Sequence, residues 1–238
     1  MEIINTEAFE KLKIRPVNAN NLNFADKYEF FPETKEELQE ILLMQYKKLG
    51  PNADLNNIDV SAITDMSDLF GNIIEFSNFN GNISRWDVSN VEDMSYMFYE
   101  CAGFNNDISD WDVSKVVIMD CMFYKCEKFN QYINNWNTEK CSSMNSMFYD
   151  CKSYNQPLNS WNVSNVVNME AMFYGCINFN QPLDKWDVGK VEDMSLLFYK
   201  CYNFNQDLRH WDVFDKDTTG LFAGGCKISK SNMPYNYI

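Results

Sequence analysis

One spacing governs this chain. All six tryptophans lie 25 residues apart, at Trp86, Trp111, Trp136, Trp161, Trp186 and Trp211. Six of the eight cysteines keep the same interval: Cys101, Cys126, Cys151, Cys176, Cys201 and Cys226. A phenylalanine column (Phe98, Phe123, Phe148, Phe173, Phe198) and an asparagine column (Asn80, Asn105, Asn130, Asn155, Asn180, Asn205) share the phase. Residue types in register over so long a stretch identify a repeat architecture, in which each unit buries its apolar face only by stacking on its neighbours. A continuous stack without an internal domain boundary is therefore expected over 55–226.

Within one unit the apolar residues are Ile108, Trp111, Val113, Val116, Met119, Met122, Phe123, Cys126 and Phe129. The opening I-x-x-W-x-V matches the L-x-x-L-x-L phrase of a leucine-rich repeat, where alternate residues of a short strand point inward. The later spacings of three and four suit a helical, 3₁₀-like or irregular return arm. The expected fold is thus a leucine-rich-repeat-like solenoid of about seven coils, each with a short parallel strand, around 109–113 in this unit, stacked at ~4.8 Å. A cap is expected over 1–54, because Thr34 and Glu37 form a capping box and Gly50–Pro51 a stop. Leu38, Ile41, Leu42, Tyr46 and Leu49 then share one face of an amphipathic helix over 35–49. A degenerate coil follows with Ile58 in place of tryptophan, three extra residues fall in Gly71–Asn78, and 227–238 forms the second cap.

The phrase F-N-x-x-I-S-x-W-D-V-S-x-V-x-x-M-x-x-M-F-Y-x-C resembles the 25-residue repeat of the bacterial BspA-like leucine-rich-repeat surface proteins. Phe30–Leu38 is similar to the lead-in of such arrays, so the resemblance covers roughly 30–226. It implies a solenoid used for adhesion and protein binding, without a catalytic site, at the cell surface.

Charge narrows the function. Acidic residues outnumber basic ones 34 to 20, giving −14 and a pI near 4.4. That balance disfavours direct contact with nucleic acid or anionic membranes, which need local Lys and Arg, and points to a protein partner with a basic surface. A single histidine leaves little room for triad or zinc-imidazole chemistry, so no enzyme, no cofactor and no metal are expected. The start MEIINTEAFEKLKIRP shows no apolar stretch behind a basic segment, and no window approaches 18 apolar residues. A cytoplasmic monomer is the expectation, with the cell surface as the alternative that the resemblance implies.

Alternation along the expected strand sends Asp87, Asp112, Asn137, Asn162, Asp187 and Asp212 outward. The column just before tryptophan is the least constrained position of the phrase: Arg85, Asp110, Asn135, Ser160, Lys185 and His210. These two rows are the candidate protein-binding face. The asparagine column reads as buried side chains that satisfy turn backbone, and the cysteine column as buried free thiols of a reducing compartment. Tyr99, Tyr124, Tyr149, Tyr174 and Tyr199 could anchor an interface or simply cover the repeat edge. The functional expectation is a non-catalytic, acidic protein-interaction module. Its alternatives are an inhibitor, of phage type or intracellular, that occupies a basic nucleic-acid-binding surface, and an exported adhesin.

Overall fold

The computed structural model describes residues 28–237, so the first part of the expected cap, 1–27, lies outside the described residues. Within them the apolar phrase folds as a series of tight turns. The Trp111 N–H donates to the Ile108 carbonyl, Val116 to Val113, Met122 to Met119, Cys126 to Phe123 and Phe129 to Cys126, at 2.9–3.3 Å. Apolar residues three apart are therefore the two ends of turns that direct both side chains inward. Between them Asp112 accepts the Ser114 N–H at 3.0 Å, an Asx turn that bends the backbone after tryptophan.

The expected leucine-rich-repeat-like solenoid of strands and return arms is not what this chain forms. Among the described residues there is one α-helix and no strand; parallel pairing is reduced to isolated bridges such as Asp93↔Ile118 and Ile118↔Ser143. Residues 109–113, the expected strand, form a turn and its exit instead. The physical reason is local: Asp, Asn and Ser two residues from a free N–H close turns that compete with extended pairing. The coils nonetheless stack in parallel through the other half of the unit. Met94, Tyr96, Phe98 and Glu100 donate N–H groups to the carbonyls of Ile118, Asp120, Met122 and Tyr124 one coil on, at 2.8–3.0 Å. The same four rungs recur at every later junction.

This ladder is not β-structure because two residues per coil take the left-handed region: Tyr96 and Glu100 at φ 59° and 60°, then Cys121 and Lys125 at 55° and 56°. Side chains there cost about 1–2 kcal/mol each, which the neighbouring rungs must offset. Gly175 is the one such position in the middle coils that uses glycine, at φ 69°.

The core explains two of the columns. Each turn carbonyl accepts one backbone N–H and keeps a second lone pair, and tryptophan and cysteine of the next coil supply the second donor. The indole N–H groups of Trp111, Trp136, Trp161, Trp186 and Trp211 donate to Ile83, Ile108, Ile133, Leu158 and Leu183 carbonyls at 2.9–3.3 Å. The thiols of Cys126, Cys151, Cys176 and Cys201 donate to Phe98, Phe123, Phe148 and Phe173 carbonyls at 2.9–3.0 Å. Each side chain fills the core and pairs a buried acceptor, which a phenylalanine or valine could not do. Successive tryptophans lie parallel, Trp111 on Trp136 at 6.5 Å and 3°.

The asparagine column also links coils, but at the surface and not buried as expected. Asn80 Oδ1 accepts the Asn105 N–H at 2.8 Å, and Asn105 Oδ1 that of Asn130 at 2.8 Å. The first three members are half-buried and Asn155, Asn180 and Asn205 are exposed.

The first end of the stack is covered by a helix and the far end in part by the tail. The helix α1, Lys35–Leu49, starts at Thr34, whose Oγ1 accepts the Glu37 N–H at 3.2 Å, while Glu37 reaches back to the Glu33 N–H at 2.8 Å. Gly50 ends it at φ 83°, with its N–H on the Tyr46 carbonyl. Leu38, Ile41 and Leu42 bury against the first coil, and Lys35 reaches Asp65 and Ser67 at 2.8 Å. The buried face ends earlier than expected, because Tyr46 is only half-buried and Leu49 is 52% exposed. The inserted residues form a 3₁₀ helix, Ile74–Asn78, that drops Phe76 into the core beneath Tyr46. At the far end the tail turns through Lys230–Asn232 and bonds to the last coil, Asn232 to Asn205 and Asn236 to Asp212.

One column member is misfit. Tyr154 replaces the phenylalanine of this position, is fully buried 4.4 Å from the Phe148 ring, and its hydroxyl has no hydrogen-bond partner among the described residues. Tyr154→Phe is expected to raise stability by about 1–2 kcal/mol, read as a higher denaturant midpoint. A lower midpoint would show that the hydroxyl is satisfied in solution.

Candidate functional site

The turns decide what each surface column offers. Asp87, Asp112, Asn137, Asn162, Asp187 and Asp212 are all exposed, as are Arg85, Asp110, Asn135, Ser160, Lys185 and His210. Each member of the first row gives one side-chain oxygen to its own turn: Asp87 to Ser89 N–H, Asn137 to Glu139, Asn162 to Ser164, Asp187 to Gly189 and Asp212 to Phe214, at 2.9–3.1 Å. The Ser114 hydroxyl and N–H hold the Asp112 carboxyl below the usual range. Asp212 is lowered too, by the Phe214 N–H and then by the Asn236 amide. These residues build turns first; the second carboxylate oxygens of the aspartates and the amide nitrogens of the asparagines remain for a partner.

Their neighbourhood is not acidic. Three residues after the Asp/Asn row stand Asn90, Lys115, Lys140, Asn165, Lys190 and Asp215. The lysines bridge coils, Lys115 Nζ to Asn90 Oδ1 and Lys190 Nζ to Asn165 Oδ1, both at 2.7 Å. A shallow groove at the last full coils gathers Lys185, Asp187, His210 and Asp212. It mixes both signs of charge and holds no nucleophile beside the histidine. Charge on this face is nearly balanced.

Negative charge gathers on another side, which reasoning from the tryptophan phrase missed. The parallel bridges align Asp65, Asp93, Ile118, Ser143, Asn168, Asp193 and Asp217 in one column. Beside it run Glu92, Val117, Ser142, Val167 and Glu192, joined coil to coil by backbone bonds at 2.8–2.9 Å. A third column carries Asp120 and Glu170. The lysines within reach are already engaged. Lys35 pairs with Asp65 at 2.8 Å, and Lys216 donates to the Gly189 and Val191 carbonyls at 3.0 and 2.7 Å. Burial pushes the Asp120 carboxyl up, and Asp93 one coil away adds like-charge repulsion against the bonds from Ser143 and Asn145. The signal lay in the V-x-x-M positions, where Glu-Asp fills the gap in two of the units, Val91–Met94 and Val191–Met194.

The tyrosines form a continuous half-buried ladder. Tyr99, Tyr124, Tyr149, Tyr174 and Tyr199 stack at 4.3–4.8 Å with planes within 18°. Their faces are spent on one another, so edges and hydroxyls meet solvent. Lys200 Nζ lies 5.4 and 5.5 Å from the Tyr174 and Tyr199 ring centres, and Lys125 pairs with Glu100 at 2.7 Å.

All eight cysteines are free. Burial pushes Cys101 and Cys141 up to about 12, and Cys126, Cys151, Cys176 and Cys201 well above the ordinary thiol range. Cys226 alone is half-buried. A thiol reagent at pH 8 is therefore expected to label Cys226 in the native chain, and the column thiols at least a hundredfold more slowly. Uniform labelling would contradict a sealed column. Among the described residues no group of three or more His, Cys, Asp or Glu could hold a metal ion, and no helix is long and apolar enough to cross a membrane.

Comparison with known proteins adds a family. No curated protein and no solved structure matches the chain. One family model does, twice, over residues 40–160 and 131–234, together running from within α1 through the last coil. The chain therefore belongs to the family described as Mycoplasma protein of unknown function, DUF285.

Proposed function

We propose that this chain is a non-catalytic protein-binding module whose partner presents a basic surface. The observation that carries the reading is the acidic side built from Glu92, Asp93, Asp120, Glu170, Glu192 and Asp193, whose nearby lysines are tied to the protein's own groups. Rigid stacking holds these carboxylates at fixed spacing, so a partner meets a preformed field and the chain loses little entropy on binding. The field steers association and is screened beyond about 8 Å at physiological salt.

The test is capture of basic proteins from a native lysate by the immobilised chain, compared with a variant carrying Glu92→Gln, Asp93→Asn, Glu192→Gln and Asp193→Asn. The wild-type chain is expected to retain a basic protein at 50 mM salt and release it at 500 mM, with affinity at least tenfold weaker in the variant. Replacing Asp112 and Asp187 by Lys instead should change affinity less, because lysines already balance that face. Unchanged capture by the four-site variant, with loss on Tyr99→Ser, Tyr124→Ser and Tyr149→Ser together, would move the interface to the tyrosine ladder and sink the charge argument.

A further inference from the structure

The rungs that join each coil to the next, three at the first junction and four at each later one, all run one way. The N–H lies in the earlier coil and the carbonyl in the later one, from Met66 to Asp93 at the first junction through Met194 to Asp217 at the last. In the last coil the carbonyls of Asp217, Thr219, Leu221 and Ala223 accept from the coil before at 2.8–3.2 Å. A trans peptide points its N–H opposite to its carbonyl. The N–H groups of Thr218, Gly220, Phe222 and Gly224 belong to those same four peptide planes, so they face out of the end of the stack. None of them donates to a group among the described residues.

The tail does not close this half of the coil. Among the described residues its bonds go to Asn205, Leu208, Arg209 and the turn at Asp212–Val213, and the Tyr237 ring stands edge-on to Phe222 at 5.1 Å. Thr219, Ala223, Gly224 and Gly225 are exposed. Gly220 and Gly224, at φ 67° and 65°, stand where the preceding coil has Leu196 and Lys200. The donor row therefore carries no side chain at those two positions.

We propose that this edge binds a polypeptide segment in parallel register, one that presents carbonyls at every second residue as the V-E-D-M-S-L-L-F-Y phrase of Val191–Tyr199 does. The proposal continues an interface already repeated at each junction of the stack, with the same donors at the same two-residue spacing. Four N–H groups drawn out in a row suit a chain; a compact anion needs donors that converge on a point. An intact second copy is a poor occupant, because its own first coil is covered by α1 through Lys35 and Gln39. The occupant is thus a free segment of like repeat sequence, aligned by backbone and selected by an apolar side chain set against Phe222 and Tyr237. Edge addition of this kind takes affinity from the main chain and specificity from the pockets beside it. It is independent of the acidic side.

The experiment uses the whole chain and a synthetic peptide with the sequence of residues 189–200, read by amide hydrogen exchange. In the free protein the amides of Thr218, Gly220, Phe222 and Gly224 are expected to exchange within about tenfold of unstructured rates. Saturating peptide should slow all four by tenfold or more and leave the tyrosine ladder unchanged. The proposal is overturned if the peptide does not bind, if a scrambled peptide protects equally, or if protection falls elsewhere. It is also overturned if inorganic phosphate gives the same protection, which would make the row an anion site. Concentration-dependent protection without peptide would make the occupant a second copy and would overturn it as well.

Discussion

Between pH 9 and pH 10 the folded chain is expected to lose most of its stability. The buried thiols of Cys101, Cys126, Cys141, Cys151, Cys176 and Cys201 have folded pKa values raised far above their ordinary value of 9.0, through desolvation. A raised folded pKa means that the stability is complete below pH 9 and declines as pH climbs towards the folded values. Over that window the unfolded thiol ionises while the folded one keeps its proton. Each such thiol removes about 1.4 kcal/mol per pH unit, so together they remove about 8 kcal/mol at pH 10, against a typical total of about 5–15 kcal/mol. Guanidinium unfolding with reductant present, at pH 7, 8, 9 and 10, should give equal midpoints at the first two values and a steep fall beyond 9. Equal midpoints at pH 8 and 10 would mean that the column is hydrated, against the burial seen here.

Trp136→Ala should be the most damaging single truncation in the middle of the stack. The ring is buried between Trp111 at 6.5 Å and Trp161 at 6.3 Å, so deletion opens a cavity that touches three coils. Truncations of this size cost about 3–5 kcal/mol. The Ile108 carbonyl would keep the Trp111 N–H at 3.3 Å but lose its second donor, the indole N–H at 3.1 Å, adding about 0.5–1.5 kcal/mol. Trp136→Phe separates the two effects, since it keeps most of the apolar volume and loses the donor; a loss of about 1–3 kcal/mol is expected. Because coils contact only their neighbours, Trp136→Ala should also open a protease-sensitive site near residue 136 while the flanking coils persist. Alanine costing less than 1 kcal/mol in chemical denaturation would show that the stack is not held by this column.

The candidate site shows where reading by column stops. The register of any residue with its counterpart 25 positions away was plain, so Asp87, Asp112 and Asp187 could be placed in one row without coordinates. Which rows lie side by side depends on the path of the backbone around one coil. The Asx turn after Asp112 brings Lys115 towards the aspartate, where its charge helps to hold the carboxyl down, and the bridges at Asp93, Ile118 and Ser143 gather a different set of carboxylates. Charges counted along the chain therefore identified an acidic protein but not its acidic side.

What the amino-acid order determined by itself was the period, the inward columns and the end of the array at α1, because burial requires the same apolar positions to recur wherever coils stack. Thr34 and Gly50 marked the helix by chemistry that needs no tertiary partner. Only the tertiary structure decided the backbone between those columns. I-x-x-W-x-V is compatible with an alternating strand or with consecutive turns, since both direct the same side chains inward. The choice fell to turns because Asp112 captures the Ser114 N–H, while Trp111 and Cys126 donate across coils to the Ile83 and Phe98 carbonyls, giving each turn acceptor a second donor. Those partners lie 28 residues back in the chain, and their pairing exists only once the coils have stacked.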